Sequence, residues 1–135
     1  MSYQIDFLHE LQYRDLGHGF FPVLDLTVIG PTNAVDLLAV IDTGAQYSLF
    51  NGARAALIGL DLTAGKRVIL GGLAGRMIAW LHQVDLEILG ARFRCEVAFS
   101  EQPIPRELLG RHTVFKQIRI AFREGTSCVY LDPSP

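Results

Sequence analysis

Hydrophobic and polar residues alternate with period two along most of this chain. Leu24, Leu26 and Val28 fall on one side and Asp25 and Thr27 on the other, the pattern of a half-buried strand. Gly30-Pro31-Thr32-Asn33 reads as a turn. The apolar run at 36–41 then returns as a second strand, so the two predict a hairpin. Residues 37–41 are continuously apolar and partly β-branched, which predicts burial on both faces. After the mixed run Tyr47-Ser48-Leu49-Phe50, Asn51 is placed to cap a short helix over 53–58, with Gly59 stopping it. Residues 66–70 and 77–88 read as strands on either side of Gly71-Gly72-Leu73-Ala74-Gly75, the most glycine-dense stretch. Phe93, Cys95, Val97 and Phe99 alternate with Arg92, Arg94 and Glu96 as another strand.

The remaining segments are shorter. Residues 1–18 are mixed and read as an irregular or edge segment. Glu101-Gln102-Pro103-Ile104-Pro105 breaks the alternation and serves as a connection. A short helix is expected over 111–115. Ile118, Ile120 and Phe122 then alternate with Gln117 and Arg119, and Cys128-Val129-Tyr130-Leu131 closes a last hairpin. Many short strands, hairpin turns and two short helices predict an all-β barrel, one domain spanning 1–135. The chain has no fixed-period repeat and no low-complexity tract.

Composition narrows the partners. Half of the 135 residues are hydrophobic and 19% are charged, which argues against disorder and allows one real core. A net charge of -2 offers no basic stripe for nucleic acid and no polybasic patch for a membrane surface. No apolar run approaches the roughly 18 residues of a membrane span. Met1-Ser2-Tyr3-Gln4-Ile5-Asp6 lacks a signal-like charged and apolar start, so a cytoplasmic location is expected. Cys95 and Cys128 are far apart and read as reduced, small core residues. His9, His18, His82 and His112 show no ligand spacing, so neither a metal nor another cofactor is expected.

One stretch carries chemistry. The apolar strand ending at Ile41 delivers Asp42 directly at its tip, where desolvating a carboxylate is costly unless partners or a function compensate. Gly44 lets the chain turn and brings backbone N–H groups close to that carboxylate. Read alone, Asp42-Thr43-Gly44 is also an ordinary turn. Followed by Ala45, it resembles the active-site loop of the aspartic proteases, the retroviral-type (retropepsin-like) ones in particular. Two later segments match that family in order: the tip Gly71-Gly72-Leu73-Ala74-Gly75 as a flap, and Leu108-Leu109-Gly110-Arg111 as the element supporting the catalytic loop. By themselves these two read as a turn and a buried strand end.

The resemblance implies a closed acid-protease barrel and an aspartic endopeptidase in which Asp42 activates a water. Because Asp-Thr-Gly occurs once, and the chemistry needs two carboxylates sharing a proton, it implies a homodimer acting on an extended peptide or protein substrate. Thr43 would then bond across the two-fold axis and the Gly44 carbonyl would meet substrate backbone. Pepsin-type members carry Ser or Thr where Ala45 stands, so a pH optimum nearer neutral is implied. One position departs from the pattern: Gln46 stands where the retroviral enzymes carry an acid that pairs with the arginine matching Arg111. That departure keeps a non-catalytic, dimeric peptide-binding barrel as the alternative, and a monomer whose Asp42 only caps a turn as a third. Tyr47 and Trp80 are either pocket or core residues. The strand 128–131 either contributes dimer contacts or closes the barrel.

Overall fold

The computed structural model describes residues 4–72 and 75–133. Twelve strands run in chain order: β1 (His9–Gln12), β2 (Arg14–Asp15), β3 (Phe20–Phe21), β4 (Val23–Ile29), β5 (Ala34–Ile41), β6 (Leu49–Asn51), β7 (Lys66–Gly72), β8 (Gly75–Ile88), β9 (Ala91–Ser100), β10 (Leu108–Leu109), β11 (Arg119–Arg123) and β12 (Cys128–Asp132). One short helix, α1 (Ala53–Leu57), follows β6.

Seven strands form the main sheet in the order β4-β5-β10-β6-β9-β8-β7. A further pairing of β4 with β8, Thr27↔Glu87 through Ile29↔Asp85, joins the far side back to the start and closes the sheet into a barrel. The expected hairpin of β4 and β5 is present, from Val23↔Val40 to Ile29↔Ala34. Its turn is closed by the Gly30 N–H donating to the Asn33 carbonyl at 2.9 Å. The strand β8 serves two structures at once. Its first part pairs with β7 from Lys66↔Leu81 to Gly72↔Gly75, its last part pairs with β4, and β9 runs along its other edge. The β7–β8 hairpin thereby projects from the barrel. Leu73 and Ala74 of its expected tip lie outside the described residues.

The alternation read in the sequence sorts side chains as it should. Leu24, Leu26 and Val28 of β4 are buried, as are Cys95, Val97 and Phe99 of β9. They join Phe50, Ile58, Leu86, Leu109, Val129 and Leu131 in one main core. Fully burying side chains of this size contributes about 1.5–3 kcal/mol each. A smaller cluster of Leu49, Ala79, Leu81 and Ala98 lies beneath the β7–β8 hairpin, with Val68, Leu70, Met77, Tyr47 and Leu108 packed on it. Cys95 and Cys128 are buried and free.

Four expectations change. Leu38 is 37% exposed, so the run 37–41 is not covered on both faces throughout. Asn51 does not cap α1, whose N-cap is Gly52 without a side-chain bond. The Asn51 side chain instead pairs with the backbone of Ile104, accepting from its N–H at 2.8 Å. The helix expected over 111–115 is a turn followed by a single 3-10 turn at Phe115–Gln117. Thr113 sits there at φ 60, outside the helical region. Finally, β12 is the central strand of a three-stranded sheet, β1-β12-β11. Both its edges are taken within the chain, in a sheet separate from the seven-stranded one, so β12 neither closes the barrel nor leaves an open edge among the described residues. The N-terminal segment supplies β1 as an outer strand, in keeping with the edge reading.

Candidate active site

The strands β5 and β6 flank the loop that carries Asp42, and β10 is inserted between them. It pairs parallel to β5 (Leu108↔Val40, Leu109↔Ile41) and antiparallel to β6 (Leu108↔Leu49). Both ends of the loop are therefore fixed to the same two-residue strand. Four hydrogen bonds continue this attachment beyond the ladder. The Asp42 N–H donates to the Leu109 carbonyl (2.9 Å), the Arg111 N–H to the Ala45 carbonyl (3.0 Å) and the His112 N–H to the Gln46 carbonyl (2.6 Å). The Gly110 N–H donates to the buried Ser48 hydroxyl at 2.9 Å. At about 1 kcal/mol net each, such bonds together hold a loop that has few apolar contacts of its own.

Gly110 makes the attachment possible. A Cβ there would overlap the Tyr47 carbonyl and sit 2.8 Å from the Ser48 nitrogen, both backbone atoms that cannot move aside. Behind it, Glu107 ties α1 to β10. Its carboxylate accepts from Arg54 Nη2 at 2.6 Å and Nε at 2.7 Å, and from the Asn51 N–H at 3.0 Å. Glu107 is 8% exposed and Arg54 27%, so this bidentate pair is largely removed from water. The Glu107 carbonyl also accepts the Val40 N–H at 2.9 Å, in the strand that ends at Asp42.

Asp42 itself is half-buried. One carboxylate oxygen, Oδ1, accepts the Gly44 N–H at 2.9 Å, and the Ala45 N–H donates to the Asp42 carbonyl at 3.2 Å. Thr43 and Gly44 are exposed, and among the described residues the Thr43 hydroxyl has no hydrogen-bond partner. A groove of about 570 Å³ opens beside the loop. Gly44, Ala45 and Tyr47 line one wall, Val68, Leu70 and Gly71 of β7 the other. Of the sequence-derived positions, Gly44 and Ala45 of the loop, Leu108 of the support and Gly71 of the hairpin line this groove, whereas Asp42, Thr43, Leu109, Gly110, Arg111, Gly72 and Gly75 are not in its lining. A carboxylate two residues before this lining can take a proton from water, but one carboxylate cannot also be the proton donor.

Tyr47 is a groove residue and also packs on the smaller cluster, its ring meeting His112 edge-on at 5.1 Å. Trp80 is half-buried, with its indole nitrogen enclosed, and does not line this groove. Arg111 is exposed and forms no ion pair among the described residues, so its expected link is absent here and Gln46 is likewise exposed. The charged pairs that do brace the region, Arg54 with Glu107 and His112 with Glu96 (2.9 Å), escape a sequence reading. Their members stand 53 and 16 residues apart, and no local pattern connects them.

Comparison with known proteins bears on this arrangement. The profile of a family described as aspartyl protease matches residues 26–113, from β4 through the loop to the turn after Gly110. The chain belongs to that aspartyl protease family. Among solved structures, a retropepsin-like aspartic protease from Rickettsia conorii is similar at TM-score 0.64 and 16% identity, over 90% of this chain and 98% of that one. The EIAV protease in complex with the inhibitor HBY-793 is similar at TM-score 0.54 and 20% identity, over 73% of this chain and 88% of that one. At these identities the likeness establishes the retropepsin-like fold. No curated protein matches the sequence. Among the described residues no helix is long and apolar enough to cross a membrane.

Proposed function

We propose that the chain is an aspartic endopeptidase that works as a homodimer on extended polypeptide, with Asp42 from each copy meeting on the two-fold axis. The observation that carries this is the placement of Asp42. It belongs to the loop whose next residues, Gly44 and Ala45, line a groove roofed by a projecting hairpin, and one of its oxygens is held by the Gly44 N–H. The exposed Thr43 hydroxyl supports the reading, since a second loop facing the first across the axis would give it a partner.

The mechanism follows from two carboxylates too close for both to ionise. The ionised Asp42 takes a proton from a water held between them, and the water oxygen bonds to the scissile carbonyl carbon. The protonated Asp42 of the second copy gives its proton to the carbonyl oxygen, forming a gem-diol. Collapse of that intermediate breaks the C–N bond, and a proton returned by the dyad leaves with the amine. The substrate lies as an added strand between loop and β7, its backbone bonding to main-chain groups and its side chains filling the groove. Ala45 and Leu108–Arg111 position the loop without touching the reacting atoms.

The test is cleavage of an unfolded protein and a peptide library, with sedimentation across concentration. Cleavage that tracks the dimer and disappears in Asp42→Asn supports the reading. A dimer that binds peptides equally well with either residue and cuts none overturns it in favour of the binding barrel, a reading that the unpaired Arg111 and exposed Gln46 keep in play.

A further inference from the structure

Leu108 separates two grooves. Beside the one under β7 lies a second of about 700 Å³, and Leu108 lines both. Val40, two residues before Asp42 and opposite Leu108 in the ladder, forms its floor with Val23 and Leu38. The rim is polar, made by His18, Arg106 and Glu107. Glu107 is the only acid in this lining, and its carboxylate is already engaged by Arg54 and the Asn51 N–H.

Arg106 is engaged differently. Its guanidinium carbon lies 4.3 Å from the centroid of the Phe21 ring, and Nη2 contacts Nε2 of His18. The His18 ring stands 5.3 Å from the same Phe21 ring. The guanidinium supplies this cluster with a permanent positive charge. Like Arg67, Arg76, Arg111 and Arg123, Arg106 forms no ion pair among the described residues, but it alone of these is stacked on an aromatic ring and lines this groove. Stacking on an aromatic face restrains the fork without consuming its charge. An incoming anion therefore meets N–H donors that are already ordered, which lowers the entropy cost of binding.

We propose that Arg106, braced by Phe21 and His18, selects an acidic side chain of the bound polypeptide in the subsite formed by this second groove. The proposal rests on the peptide-groove reading of the site. The apolar floor of Val23, Leu38 and Val40 accommodates the methylene stem of a glutamate while its carboxylate reaches the guanidinium. A lysine in the same place meets like charge, and a neutral side chain leaves the donors without an ionic partner.

Binding can be measured separately from catalysis. Dimeric Asp42→Asn protein is titrated at low salt with fluorescent eight-residue peptides in which Glu, Gln or Lys is walked through each position. The expected result is one position where Glu binds roughly tenfold tighter than Gln, the size of a charge-assisted hydrogen bond, and Lys binds weakest. In the Arg106→Gln background that difference disappears, and Arg106→Lys retains part of it. A flat profile, a Glu preference that survives Arg106→Gln, or no binding by any peptide overturns the proposal. Cleavage by the Asp42 protein is scored independently. A chain that binds with the acidic preference but does not cut keeps this subsite and loses the proposed catalysis.

Discussion

Gly110, beneath the Asp42 loop, has backbone atoms where a side chain would go, whereas Gly71, Gly72 and Gly75 of the β7–β8 hairpin have nothing within 4 Å of theirs among the described residues. The same residue type therefore meets opposite mechanical demands. On the loop side, glycine permits close approach, and the approach is locked by backbone hydrogen bonds and the Arg54–Glu107 pair. On the hairpin side, it leaves open space around a projecting ribbon whose Ile69 is 53% exposed. A site that must hold a carboxylate still while admitting a chain needs one wall of each kind.

The largest effect that would test this contrast is Gly110→Ala. The added methyl has no space, so we expect destabilisation of about 4 kcal/mol, or failure to fold, read as the midpoint of urea unfolding. Glu107→Gln should come next, at about 3 kcal/mol, because it leaves the Arg54 guanidinium facing a neutral group in a mostly dry setting. A loss below 1 kcal/mol there would show that the brace is dispensable. Gly75→Ala should cost about 1 kcal/mol, since Gly75 sits at φ 108 where side chains are strained. Gly71→Ala should stay within about 0.5 kcal/mol of the parent, and comparable losses at 71 and 110 would erase the distinction between the walls.

The smallest expected effect lies at the far end of β8. Hydrogen bonds from Arg92, together with Arg94, hold the Asp85 carboxyl below its usual value. Its folded pKa is thus lower than its unfolded one. The stabilisation is present above the unfolded value near 4 and fades as pH falls through the lower folded value. Because this is a surface pair, the change is on the order of 0.5 kcal/mol. Thermal melts of Asp85→Asn and the parent should differ at pH 6, and the difference should shrink as pH falls below the unfolded value.

How much could be read from the chain alone depended on the range of the interaction. The strands β4 and β9 declare themselves because burial alternates within each one, as with Leu24, Leu26 and Val28. The Asp42 loop is similarly local, an apolar strand followed by Asp-Thr-Gly, and of the residues named with it Gly44, Ala45, Leu108 and Gly71 line one groove. Long-range pairing was invisible. The hairpin of β11 and β12 was legible, but nothing near Cys128 says that β12 also pairs with β1, and nothing near Asn51 says that its amide serves Ile104, 53 residues away, in preference to a helix cap. The helix expected after Gly110 failed for a related reason. Thr113 places its hydroxyl at the backbone of Glu96, a tertiary bond that holds the residue out of helical geometry.

The double pairing of β8 has a mechanical consequence. One continuous ribbon is anchored from Ala79 to Ile88 by β9 and at its end by β4, and is paired with β7 alone over residues 75–78, so bending concentrates where the β9 ladder stops, between Ile78 and Ala79. The described part of the ribbon can bend without disturbing the barrel, and amide exchange along it should slow in a step at that point, not along an even slope.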